Sequence, residues 1–263
     1  MNWEEKLYND NEKPLDKLVS GYSHTSVFRT IAFVGDSLSS GEFEACDENG
    51  NTSYHDFYDY SWGQHIARKN GLKAYSFSRG GMTAKEYVES FAQAKGFWDK
   101  NKAAQAYVIA LGVNDVCNGR MEIGSPEDVK DDYRENGKTY FGYYAQIVAR
   151  YKEISPDSKF FFVTIPDDTV FNANGDIAKI NNAIYELAEC FENTYVIDLY
   201  KYGPVFDERF RDKYFMYGHM NPSGYIVIAE MVDSYIDYIV RHNTKDFENI
   251  AFVNGKNGIA VGV

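Results

Sequence analysis

Cysteine is scarce in this chain of 263 residues: there are three, Cys46, Cys117 and Cys190, odd in number and far apart. No CxxC spacing occurs, which excludes a zinc ribbon and a dithiol redox pair, so ordinary reduced thiols are expected. Basic residues are also in short supply, 27 Lys and Arg against 39 Asp and Glu, for a net charge of −12. That balance argues against a nucleic acid or an anionic membrane surface as partner, because both select a basic face. No apolar run approaches the ~20 residues of a membrane-spanning helix, so no membrane insertion is expected. The first residues, Met1-Asn2-Trp3-Glu4-Glu5-Lys6, carry neither the basic nor the apolar region of a secretory leader, and a cytoplasmic address is expected. Internal repeats, low-complexity stretches and Pro/Gly/Ser linkers are missing as well.

What is present is ordinary for a globular chain, 44% hydrophobic and 25% charged. A chain of this length buries roughly 70–75% of its unfolded surface and needs no disulfide or metal to hold a core. Short β-rich apolar runs alternate with amphipathic stretches. Thr30 to Val34, Lys73 to Phe77, Ala106 to Leu111, Lys159 to Ile165 and Tyr195 to Leu199 read as five strands. Between them lie helical stripes: one on Trp62, Ile66 and Ala67, one capped by Thr83, one through Phe141 and Tyr151, one through Ile177 and Leu187. A last stripe begins at Pro222. Apolar runs without alternation need cover on both faces, which predicts a parallel α/β sheet. The organisation expected is a polar lead-in over 1–28, one domain over 29–242 and a tail over 243–263. In that tail Gly-Lys-Asn-Gly suggests a hairpin on the sheet edge.

In an open α/β sheet, ligands bind beyond the carboxyl ends of the strands. Ser37 stands there after the first strand, at a strand-to-helix turn that suits an acyl-transfer nucleophile. Gly81 follows the second strand and can offer an unobstructed N–H. Asn114 follows the third and can donate its amide to a developing oxyanion. His219, just ahead of the proline-started helix, can serve as a general base. Taken singly, each has a plainer reading as a turn, cap or surface residue; the force lies in their combination and order.

Four segments carry that order: Gly35-Asp36-Ser37-Leu38, Arg79-Gly80-Gly81-Met82, Gly112-Val113-Asn114-Asp115, and Gly218-His219-Met220-Asn221-Pro222. Over residues 29–242 they resemble the blocks of the GDSL esterase/lipase group, the SGNH hydrolases. The resemblance implies a flavodoxin-like three-layer α/β/α sandwich on a five-stranded parallel sheet, and a serine esterase without cofactor or metal. It assigns Ser37 as nucleophile and His219 as base, with the Ser37 N–H, Gly81 N–H and Asn114 side chain as oxyanion hole. One position departs from the pattern: the family usually places Asp three residues before the histidine, where this chain has Met216. The partner that orients His219 must then be the backbone carbonyl near Met216, which is favoured, or a carboxylate of the preceding loop, Asp207, Glu208 or Asp212.

The expected reaction is hydrolysis of small acyl esters, acetyl-type and borne on carbohydrate, with a small molecule or carbohydrate ester as the partner. The alternatives are an acyltransferase using the same site, a catalytically weak module that binds a glycan or acyl group, and a metal-dependent phosphohydrolase built on the strand-end Asp36, Asp115, Asp167 and Asp198. Leu38 stands where an aspartyl-phosphate enzyme would need its second Asp. No Gly-x-Ser-x-Gly elbow exists, because Ser39 replaces its second glycine. Asp47-Glu48-Asn49-Gly50-Asn51 has the flavour of a Ca²⁺ loop but lacks its closing Glu, and reads as a solvated turn. Tyr54, Phe57, Tyr58, Tyr60 and Trp62 pack the first helix or, less favoured, form a stacking wall for substrate.

Overall fold

The apolar runs form strands in the computed structural model, which describes residues 4–7, 9, 11–169, 172 and 175–250. In chain order the strands are β1 (Thr30–Gly35), β2 (Glu42–Cys46), β3 (Thr52–Asp56), β4 (Lys73–Ser78), β5 (Ala106–Ala110), β6 (Lys159–Val163) and β7 (Thr194–Ile197). Five of them make one parallel sheet in the order β4-β1-β5-β6-β7. Counting sheet strands alone this is 2-1-3-4-5, the flavodoxin-like order, with its switch point between β1 and β5. β2 and β3 were not foreseen; they pair antiparallel as a separate hairpin between β1 and β4 in the chain.

The helices that matter below are α1 (Ser37–Ser40), α2 (Trp62–Asn70), α3 (Tyr140–Ile154), α4 (Asp176–Glu189), α5 (Glu208–Tyr214) and α6 (Pro222–His242). Their ends follow local chemistry. Ser61 caps α2, accepting from the Gln64 N–H, and Gly71 ends it at φ +65°. Asn221 caps α6 and Pro222 fills its first position, where no N–H is needed.

Side chains of the central strands alternate between two cores. Tyr107, Ile109, Phe160 and Phe162 enter the face covered by α3 and α4. Ala106, Val108, Phe161 and Val163 enter the face covered by α2 and α6. Both faces of the sheet are therefore dry, as unbroken apolar strands require. The lead-in is tied to α6: Ser23 Oγ donates to Asp233 at 2.6 Å, and His24 Nδ1 meets Asp237 at 2.8 Å. Phe247 packs edge-on against Phe28, but the tail hairpin expected beyond it lies outside the described residues. No described helix is long and apolar enough to cross a membrane.

Candidate active site

β1 ends at Gly35, and Asp36 begins α1 as its cap, its carboxylate accepting from the Leu38 N–H at 3.1 Å. Ser37 is thereby the first residue of the helix, where the N–H has no intrahelical acceptor. Its Oγ has no hydrogen-bond partner among the described residues, so the hydroxyl is uncommitted. Gly81 sits at φ +70°, in a turn open on its Cα side. Asn114 is set by Gly112, whose φ of +139° turns the chain out of β5 into Val113–Asn118. Its amide is oriented by Asn118 Nδ2, which donates to Asn114 Oδ1 at 2.8 Å. Asn114 Nδ2 is left with two long contacts, Met82 O at 3.3 Å and Asp36 Oδ2 at 3.4 Å. Such long bonds are readily exchanged for a better acceptor.

The loop carrying Gly81 is held by Asp115, whose Oδ1 accepts from the Ala84 N–H at 2.8 Å. Burial pushes the Asp115 carboxyl up to about 7, against the pull of the Ala84 and Lys85 N–H groups, and nearby Asp36 adds to the rise. Burial likewise pushes Asp36 up to about 6, while the Leu38 N–H and His219 pull it down. Burial thus favours the neutral form of both carboxyls, which lie beside Asn114 and the Gly81 loop.

His219 is placed by a short antiparallel pair, β8 (Phe215–Met216) and β9 (His219–Met220). Its Nδ1 meets Glu44 Oε2 at 3.1 Å in hydrogen-bond geometry, and the same oxygen accepts from the Gly218 N–H at 2.8 Å. Its Nε2 lies 3.1 Å from Glu42 Oε1, an ion-pair contact when the ring is protonated. Both carboxylates come from β2, and all three side chains are largely buried. Burial pushes the Glu42 carboxyl above its ordinary range; His219 pulls it down, and Asp56 and Glu44 push it further up. Glycine at 80 makes room for Glu42, since a Cβ there would sit 1.9 Å from Glu42 Oε2.

The expected orienting groups of His219 are corrected by this geometry. Met216 faces His219 only through backbone pairing, and its side chain points to solvent. Asp212 is exposed on α5, and Asp207 caps that helix by accepting from the Phe210 N–H at 2.8 Å. Glu208 belongs to the same helix. The ring takes its carboxylates from the hairpin instead.

Ser37, Gly81, Asn114 and His219, foreseen from four separate loops, line one cavity of about 490 Å³ together with Glu42 and Tyr54. Its apolar lining includes Val113, Ile165, Phe206 and Phe215. Of the aromatic cluster, Trp62 is core, edge-on to Phe33, whereas Tyr54, Phe57 and Tyr60 are at least half exposed. Tyr54 sits edge-on to the His219 ring, with centroids 5.6 Å apart. The strand-end aspartates are engaged separately: Asp36 and Asp198 cap helices, Asp115 holds Ala84, and Asp167 accepts from Asn172. No group of three or more His, Cys, Asp or Glu converges as a metal site among the described residues.

A family model described as GDSL-like Lipase/Acylhydrolase matches residues 31–232. The chain belongs to the GDSL-like lipase/acylhydrolase family. No curated relative matches its sequence. Among solved structures it is similar to a family two carbohydrate esterase from Clostridium thermocellum in complex with cellohexaose. The two share 16% identity at a TM-score of 0.57, over 88% of this chain and 68% of that one. A protein from Lactobacillus plantarum is similar at 19% identity and TM-score 0.59, over 80% and 97%. A family 3 carbohydrate esterase from Clostridium thermocellum is similar at 14% identity and TM-score 0.51, over 81% and 97%. These likenesses show the fold, and family membership supports an esterase-type hydrolase.

Within this GDSL-family chain, the residues that sequence reasoning missed are Glu42, Glu44 and, as a neighbour of His219, Tyr54. One signal was available: Glu42-Phe43-Glu44 alternates with its apolar residue between two acids, a strand pattern that puts both carboxylates on one face.

Proposed function

We propose that the protein is a serine esterase that hydrolyses small acyl esters, with Ser37 as nucleophile, His219 as base and Glu44 as the acid that orients the base. The observation that carries the reading is the convergence of Ser37, Gly81, Asn114 and His219 on one cavity. Ser37 Oγ attacks the ester carbonyl carbon and its proton passes to His219 Nε2. The carbonyl oxygen gains the negative charge and is met by the Ser37 N–H, the Gly81 N–H and Asn114 Nδ2. When the C–O bond breaks, Nε2 returns the proton to the departing alcohol. Water, deprotonated by the same nitrogen, then releases the acid and restores Ser37.

Glu44 fixes the tautomer by accepting from Nδ1, leaving the Nε2 lone pair for the serine proton. Glu42, beside Nε2, stabilises the imidazolium that forms. A carbohydrate as the alcohol is supported by the carbohydrate esterases among the structural neighbours and by the exposed Tyr54, which lines the cavity. The test is labelling with a fluorophosphonate and turnover of p-nitrophenyl esters and acetylated sugars. Wild type should be labelled at Ser37 and turn over ester, and Ser37→Ala should lose both while keeping its melting temperature. Undiminished labelling of that variant would overturn the assignment.

A further inference from the structure

Behind the nucleophile lies a second cavity, of about 90 Å³, between the strand ends and α6. It shares Asp36, Leu38, Val113, Ile165, Pro166 and Phe206 with the catalytic cavity, so the two adjoin along a common wall. Leu38 is the residue after Ser37, and Val113 the residue before Asn114. The shared wall therefore runs beside the point where a carbonyl carbon would be attacked. Met220, Ile228 and Val232 line the part that the catalytic cavity does not share.

Resting on the esterase reading above, we infer that this second cavity is the acyl-chain site and selects straight acyl groups of four to five carbons over acetyl. The lining sets the chemistry: beyond the shared wall it is almost wholly aliphatic and aromatic, with Trp62, Leu111, Val163 and Leu199 among its sides. Its polar members are occupied elsewhere, Asp36 by the Leu38 N–H and Thr164 by the Tyr200 N–H at 2.9 Å. Ser39 Oγ is the exception, buried without a partner. One hydroxyl is short of the two to four partners that hold a buried water, so solvent in this space is readily displaced by a hydrocarbon chain. The volume sets the length: an apolar cavity of about 150 Å³ accepts one benzene ring, so 90 Å³ has room for about three or four carbons. With the carbonyl carbon held at Ser37, the acyl group is butyryl or valeryl. A volume this small leaves no room for medium chains.

The experiment is a series of p-nitrophenyl esters from acetate to octanoate, read as kcat/KM, on wild type, Val232→Leu and Val163→Ile. Both valines line the second cavity and not the first. Each buried methylene should raise kcat/KM about fourfold, giving butyrate about fifteenfold over acetate, a maximum at butyrate or valerate, and a fall by octanoate. Each variant adds one methylene to the cavity and should cut the butyrate-to-acetate ratio about fourfold. If one variant fails to fold, the other still reads that ratio. Acetate as the best substrate, or a ratio unmoved in a folded variant, with Ser37 still labelled by fluorophosphonate, would overturn the acyl site and leave the esterase standing. No labelling together with no turnover of any ester would overturn both.

Discussion

Replacing Glu44 tests how this site manages without the aspartate its family places ahead of the histidine. In Glu44→Ala the Nδ1–H loses its acceptor and the Gly218 N–H loses its own, so the ring is free to turn and to adopt either tautomer. The charge lost is also considerable. A carboxylate and an imidazolium about 4 Å apart between centres attract by about 4 kcal/mol at the effective dielectric of a site near the surface, equivalent to about a thousandfold in rate. Glu42, 3.1 Å from Nε2, retains part of that stabilisation. The expected loss in kcat/KM for Glu44→Ala is therefore 10²–10³, below the about 10⁴ that a wrongly held tautomer costs a triad enzyme. Glu44→Gln should cost less, about 10–10². Glu44 Oε2 accepts from both Gly218 and His219, and two donors select the amide oxygen over the amide nitrogen, so the tautomer survives and only charge is lost. Gly218→Ala perturbs the same contact without touching either partner: a Cβ there would sit 2.7 Å from Glu44 Oε2, displacing the carboxylate and lowering kcat/KM about tenfold. The assay is ester hydrolysis under kcat/KM conditions beside a thermal melt. A Glu44→Ala variant that folds and keeps activity within threefold of wild type would refute the role of the hairpin acid.

Two further outcomes are expected. Asn114→Ala should lower kcat by about 10²–10³ with little change in KM, because its amide meets charge that exists only in the transition state; a raised KM with kcat unchanged would make it a substrate-binding residue. Asp115 titrates at about 7 when folded and near ~3.9 when unfolded, so in that window the folded state holds a proton that the unfolded state has released and stability falls as pH rises. Asp115→Asn removes this dependence, so its melting temperature relative to wild type should be more favourable at pH 8 than at pH 5, and an equal difference at both would refute the shifted titration.

The sheet was legible because β1, β5 and β6 are unbroken apolar runs ending near glycine or proline, a pattern that states burial on both faces without reference to the rest of the chain. Ser37, Gly81 and Asn114 were legible for the same reason: each follows a strand end by two to four residues, and strand ends of a parallel sheet share one rim. The partner of His219 was not. Glu44 lies 175 residues earlier, and its contact depends on where the β2–β3 hairpin folds over the rim, which no local preference states. An acid near Met216 would be a partner close in sequence, whereas the carboxylate that meets Nδ1 comes from β2. Trp62 was correctly placed in the core, but Tyr54, Phe57 and Tyr60 were drawn with it by proximity in sequence and stay at the surface because they precede α2 rather than line it.

The β2–β3 hairpin makes activity depend on a local equilibrium. Two strands alone are marginal in water, and every residue of β3 is exposed. The hairpin is secured at its base: Tyr225 donates its hydroxyl to Glu42 O at 2.6 Å, Phe57 N–H bonds Gly41 O at 3.0 Å, and Phe43 sits among Phe57, Tyr60 and Tyr225. Its opening should cost less than global unfolding, so its amides should exchange with deuterium ahead of those in β1 and β5. Each such opening carries both carboxylates away from His219 while Ser37, Gly81 and Asn114 stay at the strand ends of the parallel sheet. Catalytic competence should then decline at denaturant concentrations where the sheet is still intact.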